Sequence, residues 1–232
     1  MDGGNLRDYL KNNFNSINWK LKLYYLHVLA SNFENIHELD IIHRDFHPGN
    51  VLSLDFDLFL YISDFGLSKL IGQNVKNSEK RNIFGVLPYI SPEVLSGEEY
   101  TKAADVYSFG IIAYEIVTGF ALYYDIPHDR DLARRICDGL RPKIPFHIPK
   151  LITQVIMRCW DARVTHRPTF EELGKELRKY YWDYKKNNHE NTNEITIQIE
   201  NSEILSKNLT LTNSTTPTPT NYKTHPEAIY TQ

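Results

Sequence analysis

The sequence predicts an α+β fold that is mostly α-helical and includes one small β-hairpin. From about Trp19 to Glu38, apolar side chains recur every three or four residues, which is the spacing of one helix face. Residues 103–118 are apolar on almost every side, which is typical of a helix buried in a core. Two apolar runs, 51–54 and 58–62, are joined by Asp55-Phe56-Asp57 and therefore predict the hairpin.

The other elements follow from shorter patterns. A first helix is predicted around Asn5–Lys11, and Ile41-Ile42 are typical of a strand. After the hairpin, a polar stretch extends to about Tyr89. Further helices are predicted over 129–137, 151–160 and 169–184. The last of them begins with Thr169-Phe170-Glu171-Glu172, which is the pattern of a capping box.

Two regions of the chain differ in composition, and we expect residues 1–184 to form one globular domain. With 41% hydrophobic and 24% charged residues, the 232-residue chain as a whole excludes a fibrous or wholly disordered protein. Residues 185–232 are rich in Asn, Thr and Ser, and have too few apolar side chains to offset the entropy cost of ordering. We therefore predict a disordered, flexible tail of low complexity. Residues 195–199 alternate like a strand, but we expect them to remain unpaired.

The charge and the cysteine content narrow the classes of function. A net charge of −3 gives no electrostatic reason to expect nucleic acid or an acidic membrane as a partner. No apolar run approaches the roughly 18 residues that a membrane span requires, and the N-terminus lacks the apolar core of a signal peptide. Cys137 and Cys159 are too few for a disulfide framework, so we expect a reducing, cytoplasmic location. The oligomeric state stays open.

The polar groups that favour chemistry are concentrated in residues 43–50, between two apolar runs. In this loop, Asp45 and Asn50 are spaced so that a carboxylate and a carboxamide serve one site. Asp64-Phe65-Gly66 follows the hairpin, and a carboxylate beside a flexible glycine suits a divalent cation with oxygen ligands. One carboxylate that orients a hydroxyl, with an Asn and an Asp on Mg²⁺, is typical of phosphoryl transfer.

In these motifs the sequence resembles the C-terminal lobe of a eukaryotic protein kinase. Residues 43–50, HRDFHPGN, are similar to the catalytic loop H-R-D-x-x-x-x-N, and residues 64–66 to the D-F-G motif. Ser91-Pro92-Glu93 stands where A-P-E does, and residues 105–110 resemble the D-x-W-S-x-G start of the central helix. His166-Arg167-Pro168 resembles the R-P motif before the final helix. The motifs follow the family's order, which makes the resemblance specific.

The resemblance implies a role for each site residue and a set of ligands. Asp45 would accept or orient the proton of the substrate hydroxyl. Asn50 and Asp64 would hold Mg²⁺ on the phosphates of ATP, and Leu52 would form the floor under the adenine. His47 stands where Ser/Thr kinases usually have a lysine that reaches the transferred phosphate. The implied partners are ATP, Mg²⁺ and a protein substrate, with no nucleic acid and no membrane span.

The resemblance also implies structural and regulatory residues. Glu93 and Arg167 match a buried ion pair that fixes the substrate-binding segment. Arg44 and Lys69 match the cations that bind a phosphate on the activation segment, and Ser78 is the candidate for that phosphate. The alternative is that Ser78 is an ordinary loop serine.

The catalytic loop bears on the substrate class. His47-Pro48-Gly49 resembles the loop of the tyrosine-kinase-like branch, whose members mostly phosphorylate Ser or Thr, so we expect a Ser/Thr kinase in signal transduction. Val86 replaces the threonine whose hydroxyl contacts the catalytic aspartate, so a looser orientation of Asp45 is expected. Dual specificity stays open.

Only 42 residues precede His43, and they contain no G-x-G-x-x-G loop and no V-A-I-K lysine. We therefore expect this chain to lack an N-terminal lobe, either as a fragment or as a lone lobe, and to bind Mg²⁺-ATP weakly or not at all by itself. A non-catalytic lobe that binds other proteins is the alternative function. A small-molecule kinase with a similar loop is disfavoured, because those enzymes lack the segments that Ser91-Pro92-Glu93 and His166-Arg167-Pro168 resemble.

Overall fold

The computed structural model describes residues 3–71, 84–186, 193–212, 219 and 221–230. Within these residues the fold is mostly helical with two small antiparallel sheets, which confirms the predicted α+β class. The helices are α1 Leu6–Asn13, α2 Trp19–Glu38, α3 Pro92–Leu95, α4 Lys102–Thr118, α5 Arg130–Cys137, α6 Lys150–Cys159, α7 Phe170–Lys185 and α8 Glu194–Thr212. The strands are β1 Ile41–Ile42, β2 Val51–Leu52, β3 Tyr61–Ile62 and β4 Lys69–Leu70.

Helix α4 lies at the centre of the core, as its apolar sequence predicts. Its side chains from Ala104 to Ala113 are buried on every side, and it packs against α2 and α6 while α2 also packs along α7. A Cβ atom at Gly110 would lie 2.6 Å from the Cβ of Cys159, so only glycine permits the close approach of α4 and α6. The helix ends at Gly119, whose positive φ of 78° forms the C-cap.

The N-terminal caps of the outer helices agree with the sequence. Asn5 caps α1 by accepting a hydrogen bond from the Asp8 N–H at 3.0 Å. At the start of α7, Thr169 and Glu172 form the predicted capping box. The predicted helices at 129–137, 151–160 and 169–184 are confirmed to within one residue.

The predicted hairpin is present, but its strands have only two residues each. Val51 pairs with Ile62 and Leu52 with Tyr61 in an antiparallel register. A second sheet, which the sequence did not reveal, pairs β1 with β4. Its second strand, Lys69–Leu70, lies in the stretch that the sequence describes only as polar. The β2–β3 pairing brings the loop after β1 next to the residues after β3, where the Ser63 N–H donates to the Asn50 carbonyl at 2.9 Å.

The structure differs from the prediction in part of the C-terminal tail. Residues 194–212 form α8, in which Ile195 and Ile199 are buried and Ile197 is 44% exposed. The alternation of Ile195, Ile197 and Ile199 is also compatible with a helix, because residues four apart lie on one helix face. In α8 this spacing directs Ile195 and Ile199 to the core. The Leu151 N–H also donates to the Gln198 side chain at 2.9 Å, which joins α8 to α6. The domain boundary near residue 184 stays a prediction.

Within the described residues, no helix is both long and apolar enough to cross a membrane.

Candidate active site

A buried carboxylate on α4 fixes the loop that follows β1. Asp105 accepts hydrogen bonds from the backbone N–H of His43 at 2.9 Å and of Arg44 at 3.1 Å. The Nε2 atom of His37 lies 3.0 Å from the same carboxylate and is its third donor. Arg44 has a positive φ of 72°, a conformation that costs a non-glycine residue free energy. The hydrogen bonds to Asp105 hold this turn one residue before Asp45.

Asp45 lies at the end of this turn with one carboxylate oxygen fixed and the other open. The Nδ2 atom of Asn50 donates to the Asp45 carbonyl at 2.9 Å and to Oδ2 at 3.3 Å. Asp45 is 6% exposed, and its Oδ1 atom has no hydrogen-bond partner in the part of the chain that the structure describes. The Nε2 atom of His47 lies 3.7 Å from Oδ1, which is beyond hydrogen-bond distance. The site thus presents an unpaired, buried acceptor.

Burial raises the pKa of Asp45 above its usual value. The negative charge of Asp64 acts in the same direction, whereas His43, the hydrogen bond from Asn50 and the backbone N–H of Val86 oppose the shift. The pKa of Asp45 is therefore closer to neutral pH than that of a solvated aspartate, which suits a group that accepts a proton.

His47 is uncharged at neutral pH. Burial lowers the pKa of His47 to about 3, and the charge of Arg7 adds to this effect. The Nδ1 atom of His47 accepts a hydrogen bond from the Gly49 N–H at 3.0 Å, so the proton of the neutral ring lies on Nε2. His47 therefore offers Asp45 or a ligand a single N–H donor and no positive charge.

The β2–β3 pairing brings Asp64 near Asn50. Ser63 donates from its N–H at 2.9 Å and from its Oγ at 3.0 Å to the Asn50 carbonyl, and Asp64 follows directly. Asp64 has a left-handed backbone with φ 61° and accepts the Gly66 N–H at 3.3 Å. The Phe65 ring lies 4.9 Å from the His43 ring. Asp45, Asn50 and Asp64 thus lie around one end of the hairpin.

The residues at this end of the hairpin fit a magnesium ion that is shared with a ligand. The described residues contain no group of three His, Cys, Asp or Glu side chains that could enclose a metal ion. Because Nδ2 of Asn50 is engaged by Asp45, the amide oxygen is the atom left for a cation, and Asp64 is exposed to solvent. One carboxylate and one amide oxygen match the few protein ligands that Mg²⁺ takes beside phosphates and water.

Gly85 and Val86 line the open side of Asp45. Gly85 has φ 109°, and a Cβ atom there would lie 3.4 Å from Asp45 Oδ1. The Val86 side chain is buried and has no hydrogen-bond donor, so only the backbone N–H of Val86 acts on the Asp45 carboxylate, and it lowers the pKa of Asp45. Leu52 is half-buried in β2 and forms an isolated bridge with Asn5.

Glu93 and Arg167 form a buried bidentate ion pair. The two Nη atoms of Arg167 lie 2.7 and 2.8 Å from the Glu93 carboxylate oxygens, and the two side chains are 0% and 8% exposed. Arg167 also donates to the carbonyls of Ala103 and Asp161. Burial by itself would raise the pKa of Glu93, but the hydrogen bonds and charge of Arg167 lower it overall. The pair ties α3 to the loop before α7.

Of the three candidate regulatory residues, the structure describes Arg44 and Lys69. Ser78 lies outside the described residues. Arg44 packs over the Tyr100 ring at 4.8 Å, and its buried Nε atom has no partner in the described chain. Lys69 pairs with Ile42, two residues before Arg44. A shared phosphate site stays a prediction.

Sequence reasoning missed a second polar group beside the site. Glu115 is buried in α4 and accepts hydrogen bonds from the Tyr89 hydroxyl at 2.6 Å and the Leu122 N–H at 2.8 Å. Arg7 donates to the Tyr89 hydroxyl at 3.2 Å, and the Tyr89 ring lies 5.9 Å from the His47 ring. A lone glutamate in an otherwise apolar helix was the signal that could have revealed this group.

Comparisons with known proteins agree on one family. A model of the protein tyrosine and serine/threonine kinase family matches residues 1–177. A putative serine/threonine-protein kinase/receptor, R831 of Acanthamoeba polyphaga mimivirus, is 34% identical over 176 residues, covering 75% of this chain and 10% of that protein. The probable serine/threonine-protein kinase roco5 of Dictyostelium discoideum is 35% identical over 188 residues, covering 75% of this chain and 7% of that protein.

A relative that is described as a dual specificity kinase is also similar to this chain. The dual specificity protein kinase shkA of Dictyostelium discoideum is 36% identical over 145 residues, covering 61% of this chain and 27% of that protein. The chain thus spans about a quarter of this relative, and a tenth or less of the other two.

Proposed function

Because the chain belongs to the protein tyrosine and serine/threonine kinase family, we propose that it transfers the γ-phosphate of ATP to Ser or Thr hydroxyls of proteins. The transfer would require the glycine-rich loop and lysine of an N-terminal lobe, which these 232 residues do not contain. A role in signal transduction is part of the same proposal.

The observation that supports catalysis most directly is the state of Asp45. Asn50 holds Oδ2, while Oδ1 is buried and has no partner in the described chain. A substrate hydroxyl that donates to Oδ1 would be held and oriented for attack, which is the role that phosphoryl transfer requires of a catalytic aspartate. The raised pKa of Asp45 favours acceptance of the hydroxyl proton as the new bond forms.

Asn50 and Asp64 are proposed to bind Mg²⁺, and Leu52 to contact the adenine. When bound, the metal neutralises charge on the phosphates of ATP. Asn50 would have a second task, because its Nδ2 atom fixes Asp45 while its amide oxygen would be the atom that binds the cation. The two tasks of one amide couple the position of the acceptor carboxylate to the position of the nucleotide.

His47 is proposed to donate one hydrogen bond from Nε2 to the transferred phosphate. The usual lysine would supply a positive charge at this position, and neutral His47 supplies none. Two of the compared relatives are described as serine/threonine kinases and one as a dual specificity kinase, which supports Ser and Thr as the first substrates to test.

The test joins this chain to an N-terminal kinase lobe and measures phosphate transfer from Mg²⁺-ATP to a generic protein substrate. Acid hydrolysis of the product then identifies the modified residue. Phosphoserine or phosphothreonine supports the proposal, and phosphotyrosine beside them indicates dual specificity. Transfer that is undetectable although Mg²⁺-ATP binds would contradict the proposal and favour the non-catalytic protein-binding lobe.

A further inference from the structure

Residues 221–230 lie along the loop that follows α4 and exchange backbone hydrogen bonds with it. The His225 N–H donates to the Tyr124 carbonyl at 2.7 Å. In the opposite direction, the His128 N–H donates to the Glu227 carbonyl at 3.0 Å. Between these two bonds the Ala228 N–H donates to the His225 carbonyl at 2.9 Å, so the segment binds the loop through main-chain bonds on either side of a turn.

The first side-chain anchor of this segment is Tyr222. Its ring lies 4.5 Å from the Tyr124 ring and 5.4 Å from the Phe120 ring, and its hydroxyl accepts the Ala121 N–H at 3.3 Å. Tyrosine provides a large contact area together with a polar group at its end, which suits a peptide anchor.

The second anchor is Tyr230, eight positions further along the chain. Its hydroxyl donates to the Leu122 carbonyl at 2.7 Å, and its ring lies 4.7 Å from both the His128 ring and the Arg7 guanidinium. The neighbouring Ile229 contributes its carbonyl, which lies 2.7 Å from His128 Nδ1, while its side chain is 60% exposed. Of these two neighbouring side chains, therefore, Tyr230 anchors the segment and Ile229 does not.

The path to this segment crosses the end of α4. A Cβ atom at Gly119 would lie 2.5 Å from the Cβ of Pro219. Only glycine therefore allows Pro219 to lie this close to the helix end. Pro219 thus contacts the C-cap of α4, and Tyr222 contacts the next residues of the loop, Phe120 and Ala121.

A chain of contacts connects Tyr230 to the candidate active site. Tyr230 covers Arg7, Arg7 donates to the Tyr89 hydroxyl, and the Tyr89 ring contacts His47 beside Asp45. The Nε and Nη2 atoms of Arg7 are buried without partners in the described chain. The segment thus contacts the surroundings of the site through Arg7, whose Nε and Nη2 atoms are donors that an acidic or hydroxyl group would satisfy.

We propose that Arg7 and residues 120–128, here called the docking surface, form a peptide-binding site whose occupant in this structure is the segment 221–230 of the same chain. The ligand class is a peptide with a turn like that of residues 225–228, flanked by two tyrosines eight positions apart that cover Phe120 at one end and Arg7 at the other. The consequence for catalysis rests on the proposed function: a protein substrate that approaches Asp45 over Arg7 must first displace this segment.

The experiment uses the full 232-residue chain and a fluorescein-labelled peptide with the sequence of residues 221–230. Tyr230→Ala removes the anchor in the chain, and Ile229→Ala is the matched control because that side chain is exposed. The peptide should bind the Tyr230→Ala chain at least about tenfold more tightly than the wild type, since the surface is then open. The Ile229→Ala chain should bind it as weakly as the wild type does.

Amide hydrogen exchange gives a second readout that does not use the peptide. The segment 120–128, which contains the His128 and Ala121 donors, should exchange faster in Tyr230→Ala and unchanged in Ile229→Ala. A peptide that itself carries Tyr230→Ala should not bind. Equal peptide affinity and equal exchange in all three chains would overturn the proposal. Neither readout involves ATP, so a failure of this peptide-binding proposal can be distinguished from a failure of the proposed kinase activity.

Discussion

The carboxylate of Asp105, in the central helix α4, accepts the backbone N–H of Arg44 at 3.1 Å and holds Arg44 at φ 72°. Since Asp45 is the next residue, a side chain of the core determines where the candidate catalytic carboxylate lies. The same carboxylate also binds His43 and His37, so its removal would leave several buried donors unpaired.

Asp105→Asn should destabilise the fold. The amide replaces one acceptor oxygen with a donor that faces another N–H group, and we expect the free energy of unfolding to fall by about 2–4 kcal/mol. Urea denaturation followed by circular dichroism measures it. Asp131→Asn is the control, because Asp131 forms an exposed pair with Arg134 and its loss should leave the urea midpoint unchanged. An unchanged midpoint for Asp105→Asn would contradict the role given to this residue.

Arg167→Met should also destabilise the chain. It leaves the Glu93 carboxylate buried without its partner, which costs about 3–5 kcal/mol in comparable pairs. The matched control is Arg163→Met, which removes an exposed arginine paired with Asp161. Thermal unfolding should show a large drop for the first variant and almost none for the second. Equal melting temperatures for the two variants would show that the pair contributes nothing.

The ion pair also predicts a pH dependence. The pKa of Glu93 is lowered from its usual 4.5 in the folded chain, so the pair stabilises the fold above pH 4.5. This stability is lost as the pH falls through the lowered folded pKa. Glu93→Gln should therefore lose less stability than the wild type over that acidic range. Parallel curves of unfolding free energy against pH for the two proteins would rule out this contribution.

His47 should remain neutral through the physiological range. Its pKa falls from 6.5 to about 3 on folding, so the unfolded chain takes up a proton first and stability declines as the pH falls below 6.5. In ¹⁵N NMR spectra of the histidine side chains, the His47 ring should carry its proton on Nε2 and should not titrate between about pH 5 and pH 8. His47→Gln identifies that signal by its disappearance. A titration midpoint near pH 6.5 would contradict the structure of this loop.

Much of the helical fold follows from the sequence because burial patterns are local. The apolar run at 103–118 predicts α4, and the capping box at Thr169 predicts the start of α7. The loop containing Asp45 and Asn50 was likewise identified from residue types and spacing. Their hydrogen bond could not be inferred from spacing alone, because it depends on the 3₁₀ turn of residues 48–50.

What escaped prediction depends on contacts between distant parts of the chain. The β1–β4 sheet joins short segments whose own sequences are weak signals. The sequence predicts that residues 195–199 are unpaired, because it offers their alternation no partner strand. A period of two and a spacing of four fit the same three isoleucines, so only the packing of α8 places Ile195 and Ile199 on one buried face. Arg7 and Glu115, which both bind the Tyr89 hydroxyl, are more than a hundred positions apart in sequence.

The central claim is that Asp45 orients the substrate hydroxyl, and Asp45→Asn tests it most directly in a protein that joins this chain to an N-terminal kinase lobe. Steady-state transfer from Mg²⁺-ATP to a protein substrate gives kcat and the KM for ATP. The account predicts that kcat falls by roughly 10²–10⁴-fold while the KM for ATP changes little, because the contact forms with the hydroxyl and strengthens in the transition state. Asp57→Asn, an exposed position in the hairpin turn, should retain full activity. Transfer by Asp45→Asn at the wild-type rate would contradict the account.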